Sequence, residues 1–253
     1  MAASDMRFKV FSMPRNSGAG DARQAAIEKS SGEFIGFVDA DDYVDMDFVA
    51  VLYGLITKTG ADVACCQHYF YDEEHRRLTT PWAYDDKVVC LSPDEAMRKM
   101  KGYDQMDEGL WNKLCRREIV VRHRMETFPF EDAFVLYKYV PEAASVALCC
   151  VPLYYYYQRD GSLMHTGYTP YKAFARYKLE ILKDKAIRGT DRLETGVALY
   201  YIRKGLKLLR EFGLLERSAD VSEACRGVLE CLHGFDYVSD TELGVKGLIA
   251  RHF

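Results

Sequence analysis

The chain has 253 residues, 49% apolar and 28% charged, with 34 Lys and Arg against 38 Asp and Glu and a net charge of −4. That is ordinary globular composition with room for one large domain, or one domain and an appendix, and it excludes disordered and fibrous classes. The mild acidic balance gives no support to broad nucleic-acid binding, no run approaches the ~18 apolar residues of a spanning helix, and the N-terminus lacks a signal-peptide pattern.

Taken in order, Phe8–Phe11 is a short strand candidate and Asn16-Ser17-Gly18-Ala19-Gly20 is a loop by composition. Asp21 caps a helix through Lys29, with Ala22, Ala25 and Ala26 on a close-packing face. Ser31-Gly32 signals a turn before Phe34–Val38, an apolar run too short for a helix, which reads as a buried central strand. Asp39, Asp41 and Asp42 stand at its end. In an open α/β sheet, ligands bind at the carboxyl ends of strands. Crowded carboxylates repel, and a bound cation relieves them. Oxygen ligands suit Mg²⁺ or Mn²⁺, which one or two carboxylates hold together with substrate phosphates. The competing reading is an acidic turn that caps the next helix.

Phe48, Val51, Leu52, Leu55 and Ile56 then repeat at helical spacing, with Asp45 as cap and Gly60 as stop. Asp62–Phe70 reads as a second buried strand, completing a βαβ unit of a parallel sheet. Tyr71–Val89 reads as a loop or an edge hairpin. Ser92-Pro93-Asp94-Glu95 is a helix start, and Gly102 ends that helix. Gly109–Arg124 reads as partly helical, and Val146–Tyr157 as a strand interrupted by Pro152.

After Pro170 the character changes. Helices are expected over 171–186, 191–212 and 221–232, with Asp191 and Glu194 giving a second capping signal. Lys204, Lys207 and Arg210 fall on one side of the longest helix. They form either a solvated face or a contact with an anionic membrane surface or a lipid-linked phosphate. The eight cysteines form no C-x-x-C and read as buried free thiols of a reducing cytoplasm, not as zinc ligands.

Four stretches, in order, carry a resemblance. They are N-S-G-A-G-D-A-R at 16–23, G-E-F-I-G-F-V-D-A-D-D at 32–42, L-W-N-K-L at 110–114 with F-P-F-E-D-A-F at 128–134, and L-Y-Y-Y-Y-Q-R-D-G-S-L at 153–163. They resemble, in turn, the N-x-G-x-x-x-A-R segment, the D-x-D strand, the E-D pair and the Y-x-x-R-x-x-S segment of family 2 glycosyltransferases. The subgroup is the one that builds bacterial capsule, lipopolysaccharide and exopolysaccharide chains.

The resemblance implies an α/β, GT-A-like (Rossmann-like) fold over 1–169, with a mainly parallel sheet flanked by helices, and a helical C-terminal region over 170–253. It implies inverting transfer, by single displacement, from a nucleotide-sugar donor (a UDP-sugar is favoured) to a saccharide or lipid-linked acceptor. Asp41 and Asp39 would hold Mn²⁺ or Mg²⁺, with Asp39 alternatively placing the ribose and Asp42 in support. Arg23 would lie against the nucleotide base; Arg159 and Ser162 would close on the diphosphate. Trp111 and Lys113 would line the acceptor site. Asp132 would take the acceptor proton, with Glu131 raising its pKa. His165 is either a late metal ligand or structural. Each residue also has a plainer reading: Arg23 on a helix surface, Arg159 in a basic loop, Trp111 in the core, Glu131-Asp132 as a solvated helix start.

Two departures stand out. The family motif continues A-R-N-x-G, whereas this chain has Ala22-Arg23-Gln24-Ala25-Ala26. The family also opens with a strand, a helix and a second strand, for which there is no room before Phe8. The first domain is therefore expected to be N-terminally truncated, with an exposed sheet edge that invites a homodimer. The alternative function is a non-catalytic fragment acting as a carbohydrate-binding or assembly module. A cytoplasmic location, peripheral contact with the inner membrane and no nucleic-acid partner complete the expectations.

Overall fold

The computed structural model describes residues 5–72, 77–83, 87–158, 169–215 and 218–238. The chain divides into two compact units, Met1–Gln158 and Arg159–Phe253. The first is an α/β unit whose elements are α1 (Gly18–Lys29), β1 (Phe34–Gly36), β2 (Tyr43–Val44), α2 (Phe48–Thr59), β3 (Val63–Asp72), β4 (Arg77–Thr79), β5 (Val88–Leu91), α3 (Pro93–Gly102), β6 (Lys113–Arg116), α4 (Arg117–Val120), α5 (Glu131–Tyr139) and β7 (Val146–Gln158).

The sheet runs β1-β6-β3-β7-β2, with β4 on β3 and β5 on β7. Its long axis is the parallel pair β3 and β7, matched from Val63↔Val146 to Asp72↔Gln158 with a register shift at Gln67. The other described pairings are antiparallel, so the sheet is mixed rather than mainly parallel. β1 and β3 run the same way, as a βαβ unit requires, but each pairs antiparallel with β6, which is inserted between them. The segment 109–124, read as partly helical, supplies that strand, followed by the single turn of α4.

β1 is accordingly an edge strand of three residues, not a central one, and Val38 beyond it is 51% exposed. Phe8–Phe11 forms no strand. Among the described residues none pairs with it, and its backbone groups have no ladder to join. Pro152 does not interrupt β7. The register against β3 shifts on either side of Gln67, which lies opposite Pro152, so the residue without an N–H sits at a bulge.

Local chemistry explains the helices. Gly60 closes α2 in the left-handed conformation at φ 72, open to glycine without steric cost. Ser92 and Glu95 form a reciprocal capping box at α3, with Ser92 N donating to Glu95 Oε2 at 2.8 Å. α1 starts at Gly18, so Asp21 falls inside its first turn rather than at its cap. A Cβ on Gly20 would stand 1.9 Å from the Glu126 carbonyl oxygen. Only glycine lets α1 press this closely on the segment before α5. α2 sends Leu52, Leu55 and Ile56 against Ala64 and Cys66 of β3 and Tyr154 of β7. Cys65, Cys66, Cys115, Cys149 and Cys150 are buried in this unit, Cys90 is exposed on β5, and burial pushes the Cys65 and Cys115 thiols up to about 12.

The second unit contains α6 (Pro170–Arg188), α7 (Thr195–Phe212) and α8 (Ala219–His233). The Thr169 and Ser218 hydroxyls cap α6 and α8. α7 begins after Glu194, whose side chain makes no capping bond, so Asp191 does not start it. Phe174, Tyr177, Tyr201, Leu209, Phe212 and Val228 form the core. A Cβ on Gly227 would stand 2.3 Å from the Phe174 ring, so glycine sets how closely α8 approaches α6.

Candidate active site

β1 ends just before the acidic turn, and Asp42 N donates to the Asp39 carbonyl at 3.1 Å to close it. β2 pairs with β7, Val44 against Tyr154, which brings the turn to the β7 tyrosines. The Tyr154 hydroxyl donates to Asp42 Oδ2 at 2.6 Å and accepts from Asp39 N at 3.1 Å. Tyr157 N donates to Asp42 Oδ1 at 2.8 Å. Both Asp42 oxygens are thus turned towards the sheet. Burial raises the Asp42 pKa; these two hydrogen bonds lower it, and Asp39 and Asp41 raise it further.

Across the turn lies Arg23 of α1. Its Nη2 donates to Asp39 Oδ1 at 2.6 Å, and its Nη1 bonds Glu131 Oε1 at the start of α5. One guanidinium therefore ties two carboxylates that are 92 residues apart in the chain, with 15% of its own side chain exposed. Burial would weaken its charge, but Asp39, Glu131 and Asp132 hold it above its ordinary range.

Asp132 follows Glu131. Phe130, in the left-handed conformation at φ 68, turns the chain into α5 so that both acids fall in its first turn. Asp132 Oδ1 accepts from Ala133 N at 2.8 Å. An anion at a helix start is ordinarily favoured. Here burial dominates, the neighbouring Glu131 adds to it, and the Asp132 carboxyl is pushed up to about 7.

Trp111 sits on an aromatic shelf, 4.5 Å from the Tyr154 ring and 5.7 Å from Tyr156, with the His68 ring edge-on at 4.8 Å. It is partly buried beside the α2 core, so shelf and core readings meet in one side chain. Lys113 is different. It is 1% exposed, and its Nζ donates to the Gly109 carbonyl and Asn112 Oδ1 at 2.7 Å and to Asp107 O and Oδ1 at 3.1 Å. Enclosed by four oxygens, this ammonium has no face left for an acceptor, and the expected acceptor contact is corrected to a support under the Trp111 loop.

Sequence reasoning missed the partner, Asp107. It is buried and accepts from Gly109 N at 2.8 Å and from Asn112 Nδ2 at 2.7 Å. Burial would raise its pKa, but Lys113 overrides this and holds it at about 2. The only signal was the acid ahead of the L-W-N-K-L motif. His68 Nδ1 lies 3.4 Å from Asp107 Oδ2 without the alignment of a hydrogen bond. Arg159, Ser162 and His165 lie outside the described residues.

Among the described residues no three metal-ligating side chains converge on one point. Asp39, whose Oδ1 accepts from Arg23, and Asp41 follow the strand end, and Asp42 is engaged with Tyr154 and Tyr157. That donor set fits an ion shared between one or two carboxylates and a ligand's phosphates, not a cage made by protein alone. A surface hollow of about 510 Å³ is lined by Glu33, Arg116, Arg117, Glu118 and Val121 and shares no residue with the acidic cluster. Its arginines are committed to Asp62 and Ser30, so the chemistry rests with the cluster.

The fold is that of the GT-A glycosyltransferases. TarS of S. aureus (residues 1–349), solved in complex with UDP-GlcNAc, superposes with a TM-score of 0.59 at 19% identity, over 92% of this chain and 66% of that one. Residues 1–123 match the family model "Glycosyl transferase family 2". Glycosyltransferase GlyG of Streptococcus pneumoniae serotype 4 is 24% identical over 231 residues, 87% of this chain and 76% of GlyG. The cholesterol galactosyltransferase of Borreliella burgdorferi is 27% identical over 168 residues, 61% of this chain but 46% of that protein.

Proposed function

We propose that this chain transfers a sugar from a nucleotide-activated donor, a UDP-sugar in the first instance, to a hydroxyl of a saccharide or lipid-linked acceptor in bacterial surface polysaccharide synthesis at the cytoplasmic face of the membrane. The observation that carries this reading is the Asp132 carboxyl, pushed up to about 7 beside the Arg23 bridge between Asp39 and Glu131. A general base works best with a pKa near the working pH. The acceptor oxygen attacks the anomeric carbon from the face opposite the leaving group and its proton passes to Asp132. The bond from that carbon to the donor phosphate breaks, inverting the centre. Glu131 keeps the Asp132 pKa up, and Arg23 holds Glu131 and Asp39 in place beside it. Asp39 and Asp41 would hold a divalent ion, Mn²⁺ or Mg²⁺, which when bound offsets charge on the departing diphosphate. Trp111 offers its ring face to a sugar. Arg159 and Ser162 remain assigned to the diphosphate by resemblance.

Calorimetric titration with UDP and GDP, each with and without Mn²⁺, tests this. Manganese-dependent binding of UDP is expected, and Asp41→Ala is expected to weaken it by at least about tenfold, the loss of one charged ligand. Equal affinity in parent and variant would remove Asp41 from the metal site. A folded chain that binds neither nucleotide would shift the reading to a carbohydrate-binding or assembly module.

A further inference from the structure

We propose that α7 docks this chain on an anionic lipid bilayer. One face of the helix is fixed inwards, because Tyr201, Ile202, Gly205, Leu209 and Phe212 are buried. The opposite face carries Tyr200, Arg203, Lys207 and Arg210, all exposed, with Lys204 beside them, and Leu214 and Leu215 follow just beyond the helix end at Phe212. The helical positions, Tyr200 to Arg210, fall on one line along the helix over ~15 Å at 1.5 Å per residue.

Three features point to a bilayer. First, the line is cationic in a chain whose net charge is −4. Among the described residues only Lys207 of these cations has an acidic partner, Glu211 at 3.8 Å. Second, apolar groups stand at both ends: Tyr200 is 58% exposed, Leu214 82% and Leu215 48%. Leucines that would cost nothing to bury elsewhere are left in water beside the cations. A Tyr with its polar tip and apolar body suits a membrane interface. Third, Lys204 Nζ stands 5.8 Å from the Tyr200 ring centroid, so one cationic side chain reaches over the apolar Tyr200 end. No described helix is long and apolar enough to cross a membrane, so such contact is peripheral. Nucleic acid fits less well, since single strands need several stacking aromatics and this face offers only Tyr200. The inference does not depend on the sugar-transfer reading.

Sedimentation with vesicles tests it. Each cation near an anionic surface contributes ~1 kcal/mol, so the full chain should partition at least about 100-fold better to vesicles with about 30% phosphatidylglycerol than to pure phosphatidylcholine. The triple variant R203E/K207E/R210E should fall to the phosphatidylcholine level while keeping its melting temperature, and L214S/L215S should lose part of the binding at unchanged charge. Equal partitioning to both vesicles, or undiminished binding of the triple variant, would overturn the proposal. So would equally tight binding to a soluble oligonucleotide, which would mark a general polyanion surface.

Discussion

Asp132→Asn is expected to lower turnover by about 10³-fold while leaving nucleotide binding unchanged, because it removes the proton acceptor and nothing that faces the donor. The parent should show an acid limb near pH 7, the value to which burial and Glu131 push this carboxyl. Below that pH kcat/KM should fall about tenfold per unit, since only ionised Asp132 takes a proton. The variant should carry an opposite signature in stability. In the unfolded chain an aspartate ionises near 3.8; in the folded chain Asp132 ionises near 7. Between those values the folded state holds one more proton than the unfolded one. Stability is therefore full below the unfolded pKa, declines as pH rises towards 7, and stays reduced above it. At ~1.4 kcal/mol per unit the cost above pH 7 is on the order of a few kcal/mol. Asn does not bear it. Thermal melts at pH 4 and pH 8 should find the variant level with the parent at the lower pH and more stable at the higher. A variant with unchanged turnover would remove Asp132 from the mechanism; one equally stable at both values would place its pKa in the normal range.

Lys113→Met is expected to cost about 3–5 kcal/mol, the penalty for leaving a buried charge without its partner. Asp107 would keep its bonds from Gly109 and Asn112 but lose the ammonium that holds its pKa at about 2. For a chain of this size that is a fall of roughly 10 °C in Tm. The double variant K113M/D107N should recover much of the loss, and the coupling energy from the four-member cycle should exceed ~1 kcal/mol. A Lys113 that contacted acceptor would behave otherwise: the single variant would raise the acceptor KM with its melting temperature unchanged, and the cycle would show no coupling.

These two sites mark what the sequence makes legible. Arg23, Asp39, Glu131 and Asp132 come from three separate segments and are singled out by resemblance in separate roles; that one guanidinium joins Asp39 to Glu131 is visible only in the fold. Helices such as Phe48–Thr59 announce themselves by period and by a terminal glycine. The inserted strand Lys113–Arg116 does not. Four residues are too few to separate strand from helix, and a lysine at its head argues for the surface when its partner, Asp107, is not yet in view. Sheet order is equally hidden, since pairing β6 between β1 and β3 depends on contacts remote in sequence. The same holds for Asp42: the residue that turns it from the acidic cluster, Tyr154, lies 112 positions away.

The cysteines have a further use. Cys90 is open to solvent at the sheet edge, while Cys65, Cys66, Cys115, Cys149 and Cys150 are enclosed, and burial raises the pKa of Cys65, Cys66, Cys115 and Cys149. A thiol reagent attacks the thiolate, so it should modify Cys90 at once and the others only when the strands part. The slow labelling rates then time the opening of the first unit, and the half-buried Cys225 and Cys231 time that of the second. The chain thus carries a separate native clock for each of its halves.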